Sequence, residues 1–193
     1  TKTFPGAGVR RVAGLGVTDV GAAEAAELEA KASECADLDL TWHFVGQLQT
    51  NKAAVAAAYA DVVHSVDRAR LVTALDRAAE RAGRRLTALV QVDLSGQPGR
   101  GGAAPADVEA VPDAVAATTH LTLGGVLAVA PLDADPAQAF ATLAGIADRV
   151  RRTYDSATIV SAGMSGDLEQ AVNAGATHLR VGSALLGSRP PLR

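Results

Sequence analysis

Short apolar runs rich in β-branched residues alternate along this chain with alanine-rich segments of helical periodicity, and this alternation restricts the possible folds most. The runs that predict strands lie at 17–20, 41–46, 62–66, 86–94, 121–130, 157–162 and 177–181. The segments that predict helices lie at 22–36, 51–60, 68–83, 105–118, 135–153 and 167–174. Strands that are apolar on both faces and separated by helices are typical of a parallel α/β sheet.

The number of strands favours a closed barrel. Seven are visible, and an eighth that ends at Lys2 and begins before residue 1 would complete the (β/α)8 arrangement of a TIM barrel. The sequence starts at Thr1 without a methionine, so we expect it to be N-terminally incomplete, lacking the first helix and strand. An open, doubly wound sheet is the alternative fold.

Length and composition limit the organisation and the partners. A chain of 193 residues that is 48% hydrophobic suits one domain over residues 1–193. The net charge of −3 and the 3% of aromatic residues argue against a nucleic-acid-binding surface. A lone cysteine, Cys35, fits a reducing compartment, and no apolar run is long enough to span a bilayer. We therefore expect a soluble cytoplasmic protein with no membrane or nucleic-acid partner.

Two helices carry start signals. Asp135 before Pro136 predicts an N-cap followed by a proline in the first turn. Asp167 and Gln170 have the spacing of a capping box at the start of the next helix.

Two Gly/Ser turns follow the last two strands, in Ser161-Ala-Gly-Met-Ser-Gly-Asp167 and in Leu179-Arg-Val-Gly-Ser183. Ligands of TIM barrels bind at the carboxyl ends of the strands, and small residues at a helix start favour an anion. The two turns therefore predict a phosphate site, with Lys2 as the partner of an aldehyde-bearing phosphate cofactor. The simpler alternative is that Ser165 and Asp167 only cap a helix.

Charged and titratable residues add one further candidate. Arg180 is flanked by Leu179 and Val181 in an apolar strand, where an unpaired charge is costly, so a ring nitrogen or a carboxylate is expected beside it. The four histidines are spread over different strands without the spacing of metal ligands, which favours structural roles. They are His43, His64, His120 and His178.

Several motifs occur in order along nearly the whole chain: Lys2-Thr-Phe-Pro5, Trp42-His-Phe-Val-Gly-Gln-Leu-Gln-Thr-Asn-Lys52, His64-Ser-Val-Asp67, Leu89-Val-Gln-Val92, Gly163-Met-Ser-Gly-Asp-Leu168 and Ala174-Gly-Ala-Thr-His-Leu-Arg-Val-Gly-Ser183. Together they resemble the pyridoxal phosphate homeostasis protein family (YggS/PROSC type). The chain differs from that family at Ala22 and Ala23, where the family usually has a polar block near the cofactor ring. This difference predicts a loss of hydrogen bonds there.

The resemblance implies a TIM barrel like the N-terminal domain of alanine racemase, which binds pyridoxal 5′-phosphate as a Schiff base on Lys2. It implies that Met164, Ser165, Gly182 and Ser183 hold the phosphate and that Arg180 faces the pyridine nitrogen. His43 and Ser161 are further expected neighbours of the cofactor.

The implied role is vitamin B6 homeostasis without an assigned catalytic activity. The protein is expected to be a monomer, with apo-enzymes that use the cofactor as candidate partners. Two alternatives are open: a racemase-like amino-acid enzyme of the same fold, and a cofactor-free barrel that interacts with a partner.

Overall fold

Seven parallel strands follow one another in chain order across a single sheet. The computed structural model describes residues 4–97 and 99–187. Each strand pairs in parallel with the next one along the chain. The strands are β1 (Asp19–Ala22), β2 (Thr41–Phe44), β3 (Val62–Val66), β4 (Leu86–Gln91), β5 (Leu121–Leu127), β6 (Ile159–Met164) and β7 (His178–Arg180). This order excludes the doubly wound alternative, whose strand order reverses at a switch point.

Helices alternate with the strands along the chain. They are α1 (Gly6–Ala13), α2 (Ala25–Glu34), α3 (Ala53–Tyr59), α4 (Ala69–Ala82), α5 (Ala110–Ala116), α6 (Pro136–Thr153), α7 (Leu168–Asn173) and α8 (Ser183–Leu186). Helices α2 to α7 occupy the connections between the strands, whereas α1 precedes β1 and α8 follows β7. A 3-10 turn at Thr50–Lys52 precedes α3. Within the described ranges, no helix combines the length and the apolar character needed to cross a membrane.

The sheet is curled into a nearly closed barrel. In a flat sheet, β3 and β6 would lie roughly 14 Å apart, yet Nδ1 of His64 on β3 is 3.1 Å from Oγ of Ser161 on β6. The ring centroids of His43 on β2 and His178 on β7 are 6.1 Å apart. Side chains therefore meet across the interior, which confirms the predicted TIM-barrel class.

The hydrophobic core lies in the layer between strands and helices. On β2, Trp42 and Phe44 belong to this core together with Leu28 of α2 and Ala56 of α3. His43 lies between them in sequence, so it faces the other side of the sheet, the barrel interior. The alternation thus divides an almost fully buried strand into an apolar outer face and a polar inner face.

One predicted cap is confirmed and the other is wrong. The Asp135 carboxylate accepts a hydrogen bond of 3.0 Å from the N–H of Ala137 at the start of α6. Asp167 makes no side-chain cap to α7. Its Oδ1 accepts a 2.6 Å bond from the N–H of Met164 instead, because the carboxylate turns back to close the turn after β6.

Candidate functional site

Two turns lie side by side where β6 and β7 end. Met164 and Arg180 are the last residues of these strands and are register partners. The N–H of Ala184 in α8 points to Oγ of Ser165 at 3.4 Å, which connects the second turn to the first. The structure therefore brings together five predicted site residues: Met164, Ser165, Arg180, Gly182 and Ser183.

The first turn depends on a glycine. Gly163 has a φ of +84°, and a Cβ there would lie 2.6 Å from Cβ of Ala171 in α7. Both the left-handed backbone and the close helix exclude a side chain. The chain can therefore turn sharply after β6 and present the backbone of Met164 and Ser165 at the strand end.

Backbone donors accumulate at the two turns. In the part of the chain that the structure describes, the N–H groups of Ser165, Gly166, Gly182 and Ser183 donate to no acceptor. The hydroxyl groups of Ser165 and Ser183 stand beside them. Clustered N–H groups of this kind bind anions without a basic side chain.

Arg180 is held by two neutral acceptors. One guanidinium nitrogen donates 2.7 Å to Oγ of Ser161 and the other donates 2.9 Å to the carbonyl of Ala128. Among the described residues, no carboxylate lies within ion-pair distance of it. Burial lowers the pKa of Arg180 to about 10, although Asp167 opposes this shift. Arg180 therefore remains a partly buried cation at neutral pH, and three of its five N–H donors meet no acceptor among the described residues.

Ser161 connects Arg180 to a column of polar side chains inside the barrel. Beyond Ser161 comes His64, whose Nε2 is 2.8 Å from Nδ1 of His43, and Nε2 of His43 is 2.9 Å from Oδ1 of Asp19. His43, His64 and Ser161 are buried, whereas the Asp19 side chain is 56% exposed. We call Asp19, His43, His64 and Ser161 the polar column.

The charged groups lie at the two ends of the polar column: Asp19 at one end, and Arg180 next to Ser161 at the other. Burial, followed by the nearby His43, Arg180 and His178, lowers the pKa of His64 to about 2, so His64 is neutral. A hydrogen bond from the Thr18 hydroxyl is the largest cause that lowers the pKa of Asp19, and His43 adds to it. The Asp19 carboxylate and the Arg180 guanidinium thus stand on opposite sides of the neutral His64.

The remaining predicted site residues lie differently. Lys2 falls outside the described residues. His43 and Ser161 are in the interior as members of the polar column. Ser161 is bonded to Arg180, whereas His43 is connected to Ser161 only through His64. His64 and Asp19 had not been predicted as members of the site, although a histidine within the otherwise largely apolar run 62–66 was a signal for an inward-facing polar residue. Ala22, by contrast, is fully buried in the hydrophobic core.

Comparison with protein families and relatives gives consistent matches. The family model described as alanine racemase, N-terminal domain, matches residues 4–190. The pyridoxal phosphate homeostasis protein of Mycobacterium tuberculosis H37Rv is 42% identical, over 98% of this chain and 81% of that protein. The protein of the same name from Pseudomonas aeruginosa is 36% identical, over 98% of this chain and 82% of its own length.

Solved structures match over a similar extent. PipY of Synechococcus elongatus PCC7942, with pyridoxal phosphate bound, superimposes with a TM-score of 0.87 at 36% identity and covers 96% of this chain and 89% of its own. An alanine racemase of Clostridium difficile 630 has a TM-score of 0.73 at 15% identity, covering 94% of this chain and 48% of its own. The second match reflects a shared fold alone.

Proposed function

The chain belongs to the pyridoxal phosphate homeostasis protein family, and from this premise we propose that it binds pyridoxal 5′-phosphate and serves intracellular vitamin B6 homeostasis. One observation carries the proposal: a partly buried Arg180 cation, with no carboxylate partner among the described residues, lies beside two turns rich in unused N–H groups. Lys2, which lies outside the described residues, is the amine that bonds the aldehyde.

The two turns fit a phosphate group. Four backbone N–H groups and two serine hydroxyls point to one kind of ligand, an oxyanion with several acceptor oxygens. Gly182 contributes backbone to this cup, and Ser165 and Ser183 contribute both backbone and hydroxyl. Met164 adjoins the cup, with its own N–H bonded to Asp167. A Cβ at Gly182 would meet no atom of the described residues within 4 Å, so this part of the structure leaves the space in front of that backbone open.

Arg180 fits the ring nitrogen. A guanidinium can only donate, so a pyridine nitrogen that meets it must accept and stays unprotonated. Pyridoxal phosphate supplies an electron sink that is strongest when this nitrogen carries a proton. Arg180 therefore favours holding the cofactor over activating it for carbanion chemistry.

The interior histidines also favour a protein that carries the cofactor over an enzyme that uses it. Both ring nitrogens of His43 and of His64 are already within hydrogen-bond distance of partners in the column. Neither histidine has a free nitrogen with which to move a proton on a bound amino acid. The role that we propose is therefore to hold the cofactor and pass it to apo-enzymes without turnover of its own, and we expect the protein to be a cytoplasmic monomer.

Titration with pyridoxal phosphate, followed by borohydride reduction and peptide mass analysis, tests the proposal. The chain has three lysines, Lys2, Lys31 and Lys52, so the reduced adduct can be assigned without ambiguity. We expect the adduct on Lys2. Lys2→Ala should abolish the imine absorbance while weaker, phosphate-dependent binding persists.

Lys52→Ala is the matched control, because Lys52 is exposed and precedes α3. It should leave absorbance and affinity unchanged. If the folded protein gave no spectral change with the cofactor, or if the adduct formed on Lys52, the proposed site would be wrong.

A further inference from the structure

Together with Arg180, the polar column reaches from one end of the barrel to the other. Asp19 is the first residue of β1 and Arg180 is the last residue of β7. The strands are parallel, so the exposed Asp19 carboxylate stands at the amino-terminal mouth and Arg180 at the carboxyl-terminal mouth. Three buried side chains join them through four contacts of 2.7 to 3.1 Å.

The donor and acceptor roles along the column follow from its two ends. Asp19 as a carboxylate can only accept, so Nε2 of His43 carries a proton. Arg180 can only donate, so Oγ of Ser161 accepts from it. With His43 neutral, its Nδ1 accepts from Nε2 of His64, and Nδ1 of the neutral His64 accepts the hydroxyl proton of Ser161.

With this assignment, each of the four contacts has one donor hydrogen and one acceptor atom. All four hydrogen bonds then point in one direction, from Arg180 toward Asp19, and bonds aligned in this way strengthen one another. If His43 carried a second proton, Ser161 would have to accept from both His64 and Arg180. Its own proton would then have no acceptor among the described residues, inside a barrel where that is costly.

We infer that His43 and His64 are positioning residues for Arg180. They keep the Ser161 hydroxyl proton on the His64 side, so that Arg180 meets only acceptors at Ser161 and Ala128 and its guanidinium is fixed toward the ligand. This inference rests on the proposed function for the identity of that ligand. The hydrogen-bond pattern of the cofactor-free protein, however, does not depend on it.

Among the described residues, no other side chain next to the polar column bonds Ser161 in place of His64. His178 touches the ring of His43, and its Nδ1 is 2.9 Å from the Thr177 hydroxyl rather than from a column residue. The Thr18 hydroxyl donates to the Asp19 carboxylate. Within the described chain, His64 is the residue that bonds Ser161 on the side opposite to Arg180.

Nitrogen-15 NMR of histidine-labelled, cofactor-free protein at neutral pH tests the assignment directly. We expect His43 and His64 to be neutral with the proton on Nε2 in both rings. A proton on Nδ1 of either ring would overturn the inference. Because no cofactor is added, this result is independent of whether the protein binds pyridoxal phosphate.

A set of variants tests the consequence for the ligand. His64→Leu removes both contacts, and we expect cofactor affinity to fall by about tenfold, with a shifted absorbance, because Arg180 loses its fixed position. His64→Asn puts an acceptor oxygen near the place of Nδ1 and should restore most of the affinity. His120→Asn is the control, since His120 precedes β5 and lies off the column.

A folded His64→Leu protein with the wild-type affinity and absorbance would refute the positioning role. If the wild-type protein itself bound no cofactor, the proposed function would fail, and the NMR result would still decide whether the column is arranged as inferred.

Discussion

Individual side chains at the strand ends decide what this barrel can hold. Arg180 could be identified from the sequence because a charge inside an apolar strand needs a reason. Its contacts could not, because Ser161 is 19 positions away and Ala128 is 52 positions away. Whether residues so far apart in sequence come into contact depends on how tightly the sheet curls.

Arg180→Glu should reduce cofactor affinity by more than tenfold, since it places an anion where the ligand presents acceptors and leaves Ser161 without its donor. Equilibrium titration followed by the absorbance of the bound cofactor measures this. Arg11→Glu, an exposed change on α1, is the control for the altered net charge. Unchanged affinity and spectrum in Arg180→Glu would show that Arg180 does not face the ring.

Ser183→Ala should have a smaller effect. Loss of one hydroxyl donor to a phosphate costs about 1 kcal/mol, or roughly a fivefold weaker Kd, because the backbone N–H groups remain. Isothermal titration with pyridoxal phosphate measures the change. Ser156→Ala, an exposed serine in the turn before β6, should bind as the wild type does, and an equal loss in both variants would contradict a local role.

Elements of secondary structure were largely predictable, for a simple physical reason. Strands buried on both faces appear as continuous apolar runs, and all seven were found, with shifts of a few residues at their ends. The helix α1 was not predicted, because Pro5 and Gly6 are residue types common in turns, whereas tertiary contacts stabilise a helix that buries Val9 and Val12. Its Arg10 is also bonded to the Asp37 carboxylate at 2.6 and 2.8 Å.

The pairing of β5 with β6 gives an element-level prediction. Gly125 has a φ of +148°, and a Cβ there would lie 1.9 Å from the carbonyl oxygen of Ile159, its register partner. Gly125→Ala should therefore destabilise the protein by at least about 3 kcal/mol. Urea unfolding monitored by circular dichroism measures this loss.

Gly145→Ala is the matched control, because Gly145 is an exposed residue within α6 and a Cβ there would point into open space. The change should stabilise the protein by roughly 0.5–1 kcal/mol. A Gly125→Ala protein as stable as the wild type would contradict the close approach of β5 and β6.

At the scale of the whole molecule, the buried neutral His64 makes stability depend on pH. Its pKa falls from 6.5 to about 2 on folding. Below pH 6.5 the unfolded chain takes up a proton at this residue and the folded protein does not. The free energy of unfolding should therefore decrease as the pH falls from 6.5 toward 2, by up to about 1.4 kcal/mol per pH unit from this residue.

Urea unfolding of the wild type and of His64→Asn at several pH values tests this dependence. The variant lacks the titrating ring, so its free energy of unfolding should fall less steeply with acid, while His120→Asn should keep the wild-type slope. Equal slopes in the wild type and in His64→Asn would show that His64 is not a neutral, buried group.

The polar column also bears on how such a barrel can change over generations. Removing any one of its buried members leaves a neighbour with an unsatisfied polar atom, at a cost of about 1–3 kcal/mol. A single apolar replacement is therefore penalised, whereas exchange of several members together can be tolerated. His43, His64 and Ser161 are consequently expected to be inherited, or lost, as a set.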